Sequence, residues 1–166
     1  MEIIGYKCFN KGLVNSYGSK FNLGEIYVAQ GKIKYGTNGN GFHLCKNMED
    51  TFRYFNTFED EVDVCLVKGS GIIKMFCDEY NGYYDLYCVE KLEILEQLSR
   101  FQIIEKGLKL DDIKVQRFIS TFQLTKDEIK LFKEKYRSYD SVLNAIAYYQ
   151  EGDKTIYEDS IKQYRI

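Results

Sequence analysis

The chain contains no proline and no tryptophan, a single histidine, and no C-x-x-C pair among its five cysteines. Average usage would place roughly eight prolines in 166 residues, so its turns fall to 13 glycines and to Asn and Asp. Every apolar stretch is interrupted well short of the roughly 20 residues a membrane helix requires, and no membrane partner is expected. The start, Met1-Glu2-Ile3-Ile4-Gly5-Tyr6-Lys7, lacks the basic region, apolar run and small-residue site of a secretory signal. A cytoplasmic location is the expectation. Cys8, Cys45, Cys65, Cys77 and Cys88 make an odd count, for which reduced thiols are the default. Zinc sites draw on ligand pairs two to four residues apart, and that pattern is missing, so no metal is expected. Net charge is −2, without the basic stripe that phosphate-backbone binding demands. Nucleic acid is not indicated as a partner.

What the chain does have is aromatic bulk. Fifteen Tyr and eleven Phe in a sequence that is 45% hydrophobic supply ample core, since each aromatic removes roughly 150–250 Å² from water. Residues 1–95 punctuate short β-branched and aromatic runs with Gly, Asn and Asp, as strands do. The runs are 3–9, 25–29, 32–35 after Gln30-Gly31, 42–45, 61–67, 72–77 and 86–95. Between them, Asn47 precedes Met48 to Phe55 with Asp50 three residues on, a variant of the capping-box spacing that predicts a helix. From residue 96 the apolar spacing becomes helical, with Leu98, Phe101, Ile104 and Leu108 on one face. Asp111-Asp112 and Thr125-x-x-Glu128 mark two further helix starts, 141–150 reads as another helix, and 155–165 as a short helix or a frayed end. Strands followed by helices predict an α+β fold: a mostly antiparallel sheet over 1–95 and a helical subdomain over 96–166 packed on it.

Chemistry concentrates in Tyr35-Gly36-Thr37-Asn38-Gly39-Asn40-Gly41-Phe42-His43-Leu44-Cys45. Its glycines match neither a P-loop nor a dinucleotide loop, and Asn38-Gly39 and Asn40-Gly41 read as left-handed turns between strands. His43 alone has an ordinary pKa between pH 5 and 8, and Cys45 shares its face if the segment is a strand. A core or cleft-lining histidine is the expectation, ahead of a catalytic Cys45–His43 pair. Glu59-Asp60-Glu61 and Asp63 read as a solvated acidic loop leading into a strand. Tyr80, Tyr83 and Tyr84 beside Asn81-Gly82, with Tyr148 and Tyr149, have the Tyr-rich character of protein-recognition surfaces.

Gly5-Tyr6-Lys7-Cys8-Phe9, Phe21-x-x-Gly24-x-x-Tyr27, and Gly41-Phe42-His43-Leu44-Cys45 followed by Phe52-x-Tyr54-Phe55 resemble a family of small uncharacterised bacterial and phage proteins. That family has a Tyr-Lys-Gly-Phe start and a Gly-Phe-His-x-Cys motif; Cys8 stands here at its usual Gly. The resemblance implies a phage or mobile-element setting. The order of the same segments is distantly similar to the ADP-ribosyltransferase fold. That likeness implies NAD as cofactor, with Lys7 near the NAD-holding His or Arg, His43 at the stacking Tyr, Tyr54 near the helix end, and Glu90 or Glu93 as the carboxylate that stabilises an oxocarbenium-like centre.

Two functions are therefore expected from the sequence. The first is a non-enzymatic module, without cofactor, that binds and inhibits or modulates a host protein through Tyr80, Tyr83, Tyr84, Tyr148 and Tyr149, with homodimerisation through the tail helices held in reserve. The second is an NAD-using ADP-ribosyltransferase-like enzyme in which Lys7, His43, Tyr54 and Glu90 or Glu93 meet in one cleft.

Overall fold

The computed structural model describes residues 1–36 and 39–156. The chain divides into two compact units, Met1–Ile103 and Ile104–Ile166, and the fold is α+β.

The first unit holds five strands: β1 (Glu2–Asn10), β2 (Ile26–Val28), β3 (Phe42–Cys45), β4 (Val62–Asp78) and β5 (Tyr83–Gln97). All pairings are antiparallel. β1 pairs with β4 from Glu2↔Ser70 to Asn10↔Val62, and β4 with β5 from Cys65↔Gln97 to Asp78↔Tyr83. β3 lies against β5 (Phe42↔Val89 to Cys45↔Leu86) and meets β1 at Tyr6↔Cys45. The strands β1, β4, β5 and β3 thus close into a ring, from which β2 extends along β5 at Ile26↔Glu93 to Val28↔Lys91.

Alternation decides what enters the core. Phe9, Leu44, Cys65, Val67, Val89, Leu92 and Ile94 form one buried cluster with Leu13 and Phe21, and Ile3, Phe42, Ile73 and Tyr87 pack against it. Each such side chain contributes about 1.5–3 kcal/mol by leaving water. On β1 the residues sharing the face of Ile3 and Phe9 are Gly5 and Lys7. A lysine therefore stands in the apolar row of the first strand, with its Nζ 5.5 Å from the Phe9 ring centre.

Several expected elements differ. Residues 62–78 are one continuous strand rather than two, with a register shift between Ser70 and Ile73 that absorbs Gly71. Residues 32–35 form no strand; an isolated bridge joins Ile33 to Asn40, where the chain is too tightly turned for a ladder. Met48–Tyr54 is a 3₁₀ helix and Asn47 makes no side-chain cap; its Nδ2 instead donates to Asp50 Oδ2 at 3.1 Å. Asp63 is no solvated loop residue. Its Oδ2 accepts from the backbone N–H groups of Gly12 (2.6 Å) and Leu13 (3.0 Å), and its Oδ1 from Gln97 (3.0 Å). Asn38 of the expected Asn-Gly turn lies outside the described residues. Gly41 does adopt positive φ, at 124°. A Cβ there would also lie 2.6 Å from Cys88 Sγ, so β3 enters beside β5 only with glycine at that point.

The second unit begins within α1 (Arg100–Gly107) and continues through α2 (Asp112–Thr121), α3 (Lys126–Lys135) and α4 (Asp140–Ala145), the last running into a π-helical turn over Ile146–Gln150. Asp111 caps α2 through Lys114 N, and Thr125 with Glu128 forms a complete capping box on α3. Phe118, Phe122, Phe132 and Tyr136 stack along the core at centroid spacings of 5.0–6.2 Å. Gln150 closes the end of α2: its Nε2 donates to the Ile119 and Phe122 carbonyls and its Oε1 accepts from Leu124 N. The expected face of Leu98, Phe101, Ile104 and Leu108 is not formed as such. Leu98 precedes α1 and Phe101 is 76% exposed, while Ile103 and Ile104 are buried. Most of the expected tail helix, from Tyr157 onward, lies outside the described residues.

Candidate functional site

Between β1, β3 and the segments around them lies a cleft of about 970 Å³ in the first unit. Lys7 reaches it from β1, Phe42, His43 and Cys45 from β3, Thr51 and Tyr54 from the 3₁₀ helix, Asn15 to Tyr17 from the loop after β1, and Tyr35 and Asn40 from the loop before β3. Close approach of β1 to β3 sets this geometry. A Cβ on Gly5 would meet Cys45 O at 2.5 Å and Leu44 Cδ1 at 2.6 Å, so no side chain fits where the two strands touch.

Lys7 Nζ donates to the His43 carbonyl at 2.9 Å. Burial pushes its ammonium below the usual lysine range, a shift that thiolate charge on Cys45, Cys8 or Cys88 would oppose. Those thiols supply little, because desolvation raises each of them, Cys45 to about 12. Cys45 is further raised by the negative charge of Asp50. His43 is lowered to about 4, first by burial and then by the Lys7 charge, and is a neutral imidazole at pH 7. Cys45 and His43 share a face of β3, and burial holds the thiol protonated and the imidazole neutral, so the two do not form a thiolate–imidazolium pair at neutral pH.

Around His43 stands a wall of rings. Tyr35 stacks on Phe76 at 3.9 Å and 13°, with His43 5.0 Å from Tyr35 and edge-on to Phe76 at 5.7 Å. The Tyr35 and Tyr54 hydroxyls lie 3.4 Å apart. Burial, then the Tyr35 hydrogen bond, raises the Tyr54 phenol, which stays protonated. Beneath Tyr54, the Arg53 guanidinium packs 4.7 Å from its ring and 4.3 Å from that of Tyr83, and pairs with Asp78 at 2.5 Å. Arg53 Nη1 is buried without a hydrogen-bond partner.

Of the residues singled out in the sequence, Lys7, His43 and Tyr54 meet in this cleft. Glu90 and Glu93 do not line it. Glu90 Oε2 accepts from Ile72 N at 3.0 Å, at the β4 irregularity, and Glu93 pairs with Lys68 at 2.5 Å. Tyr80 is 98% exposed, whereas Tyr83 is held on Arg53; the side chain of Tyr84 lies outside the described residues. Tyr148 and Tyr149 belong to the second unit, edge-to-face at 4.9 Å, with Lys154 over Tyr148. The sequence reading missed Tyr35, Phe76 and Arg53 as members of the ring wall and its support. The signal for Phe76 was its alternation with Lys74 on β4; Tyr35, in irregular chain, gave none. Among the described residues there is no cluster of three or more His, Cys, Asp or Glu that fits a metal ion, and no helix long and apolar enough to cross a membrane.

Ring-closed antiparallel sheet and a following set of helices define an α+β protein. The family profile described as a domain of unknown function, DUF7666, matches residues 3–106, and the chain belongs to that family. No curated protein matches the chain.

Proposed function

We propose that the first unit is a binding domain for a small planar heteroaromatic ligand of the nucleotide class, with NAD, the cofactor implied by the sequence resemblance, as the first ligand to test. The observation that carries this reading is the cleft itself. About 970 Å³ suits a small-molecule ligand; Tyr35, His43 and Tyr54 offer ring faces and edges, Asn15, Asn40, Ser16 and Thr51 offer hydrogen bonds, and among the described residues Lys7 is the one lysine or arginine that lines it. Among the described residues no Asp or Glu lines it, so the cleft lacks the carboxylate that ADP-ribosyl transfer uses to stabilise an oxocarbenium-like centre. Binding without group transfer is the better-supported activity.

Titration calorimetry with NAD, alongside an assay for nicotinamide release, tests this. Saturable heat that falls at least tenfold in affinity with Tyr35→Ala, with no nicotinamide released, is expected. Absence of heat at millimolar NAD overturns nucleotide binding, and release of nicotinamide overturns the non-catalytic assignment.

A second reading rests on a different observation. Tyr80 at the turn between β4 and β5 is 98% exposed, and Met75 and Ile72 on the same ribbon are 67% and 50% exposed. Such a ribbon suits docking to a protein, and in a phage or mobile-element setting that partner is a host factor to be inhibited or modulated. Capture of one host protein by the wild-type chain, lost with Tyr80→Ala and Met75→Ser, supports it; equal capture by both overturns it.

A further inference from the structure

We propose that Lys7 is an imine-forming site for a planar aromatic aldehyde bound in the cleft, an inference that rests on the cleft being open to planar ligands. Three observations carry it. Lys7 lines the cleft and yet stands in the core-facing row of β1, beside the Phe9 ring. Its Nζ has the His43 carbonyl as hydrogen-bond acceptor, and no cleft-lining carboxylate among the described residues balances its charge. The neighbouring thiols of Cys8, Cys45 and Cys88 are held protonated and supply no counter-charge either. A desolvated ammonium without an anion favours release of its proton, and the neutral amine that results is the nucleophile of carbonyl chemistry.

The step balances without a redox partner. The Nζ lone pair forms the C–N bond to the aldehyde carbon as the C=O π pair moves to oxygen, and one proton passes from nitrogen to that oxygen. The nitrogen then loses its second hydrogen and the carbon its hydroxyl, together one water, leaving the C=N bond. One amine and one aldehyde give one imine and one water. The hydrogen bond to the His43 carbonyl orients Nζ for attack, and it is released as the second N–H hydrogen leaves in water, because the neutral imine carries no N–H. The surrounding rings disfavour water, which slows the reverse hydrolysis and selects aldehydes flat enough to lie beside Tyr35.

The test treats the full chain with pyridoxal 5′-phosphate, reduces with borohydride, and locates adducts by intact mass and peptide mapping. A single dominant adduct on the Lys7 peptide is expected, formed roughly tenfold faster than on exposed lysines such as Lys91 and Lys126. Lys7→Arg keeps a cation and loses the adduct; Lys7→Met is the second variant should arginine not fold, with circular dichroism as the folding check. Labelling spread evenly over surface lysines, with NAD binding intact, overturns the imine site and leaves the binding reading standing. Selective Lys7 labelling without any NAD binding supports the imine site and removes the nucleotide assignment instead.

Discussion

The two units solve opposite problems. In Ile104–Ile156 the polar groups that enter the core are matched at both ends: Tyr136 Oη donates to the Leu110 carbonyl at 2.6 Å, Gln150 serves three backbone groups, and Thr125 and Asp111 close helix starts. In Met1–Ile103 the core-facing side of β1 carries a lysine beside a cleft that no Asp or Glu lines among the described residues, and an arginine nitrogen lies buried and unpartnered. Local satisfaction gives rigidity; unbalanced charge beside a cleft gives reactivity and recognition. The ligand site proposed above lies in the unit whose charge is less fully matched.

Breaking the aromatic column tests the helical side most severely. Phe132→Ala removes a fully buried ring that packs on both Phe118 and Tyr136, and a loss of about 3–5 kcal/mol is expected in denaturant unfolding followed by helical circular dichroism. On the sheet side, Gly5→Ala forces a methyl against Cys45 O and is expected to cost about 2–3 kcal/mol and to weaken NAD binding together with it. Lys7→Met, by contrast, is expected to raise stability by about 1–2 kcal/mol, because an apolar chain replaces a buried polar amine whose charged form lacks a counter-ion. A loss of stability there would show that the ammonium is held favourably.

His43 supplies a pH test. Its folded pKa of about 4 lies below the unfolded value of 6.5. Between these values the unfolded chain binds a proton that the folded chain refuses, so stability falls as pH drops from about 6.5 to about 4 and the loss levels off below that. Up to about 2 kcal/mol is expected from His43 at its partly open position, read as the difference in pH profile between wild type and His43→Gln. The smallest effect is Thr125→Ala, which opens the capping box and costs about 1 kcal/mol without touching the cleft.

Local chemistry was legible in the sequence and long-range register was not. Thr125 and Asp111 announce helix starts because their partners lie three residues away, and both caps form. Gly41-Phe42-His43-Leu44-Cys45 reads as a strand entered through glycine because only the next few residues decide it. The ring closure depends on β1 finding residues 62–70 and β3 finding 86–89, pairings no window contains. Of the residues the resemblance grouped, Lys7, His43 and Tyr54 line one cleft. Glu90 and Glu93 do not join them, since a backbone N–H and a lysine on the neighbouring strand claim those carboxylates. Tyr35 had no periodicity to betray it, and Asp63 looked solvated because the backbone donors to its carboxylate, Gly12 and Leu13, lie just past β1 and at least 50 residues earlier in the chain.

Ring closure also sets the order of events in time. The β4–β5 ribbon joins neighbours in the chain, whereas β1, β2 and β3 must each wait for strands far along it, so the loop entropy of every remaining pairing is met only after the ribbon exists. Helices of the second unit form their own turns locally, and the bonds that Tyr136 and Gln150 make between them span 26 to 31 residues, well short of the distance from β1 to β4. Stopped-flow refolding should therefore split in two, with helical signal recovered first and the Tyr-rich cleft, assembled from β1, β3 and the segments around them, completed last.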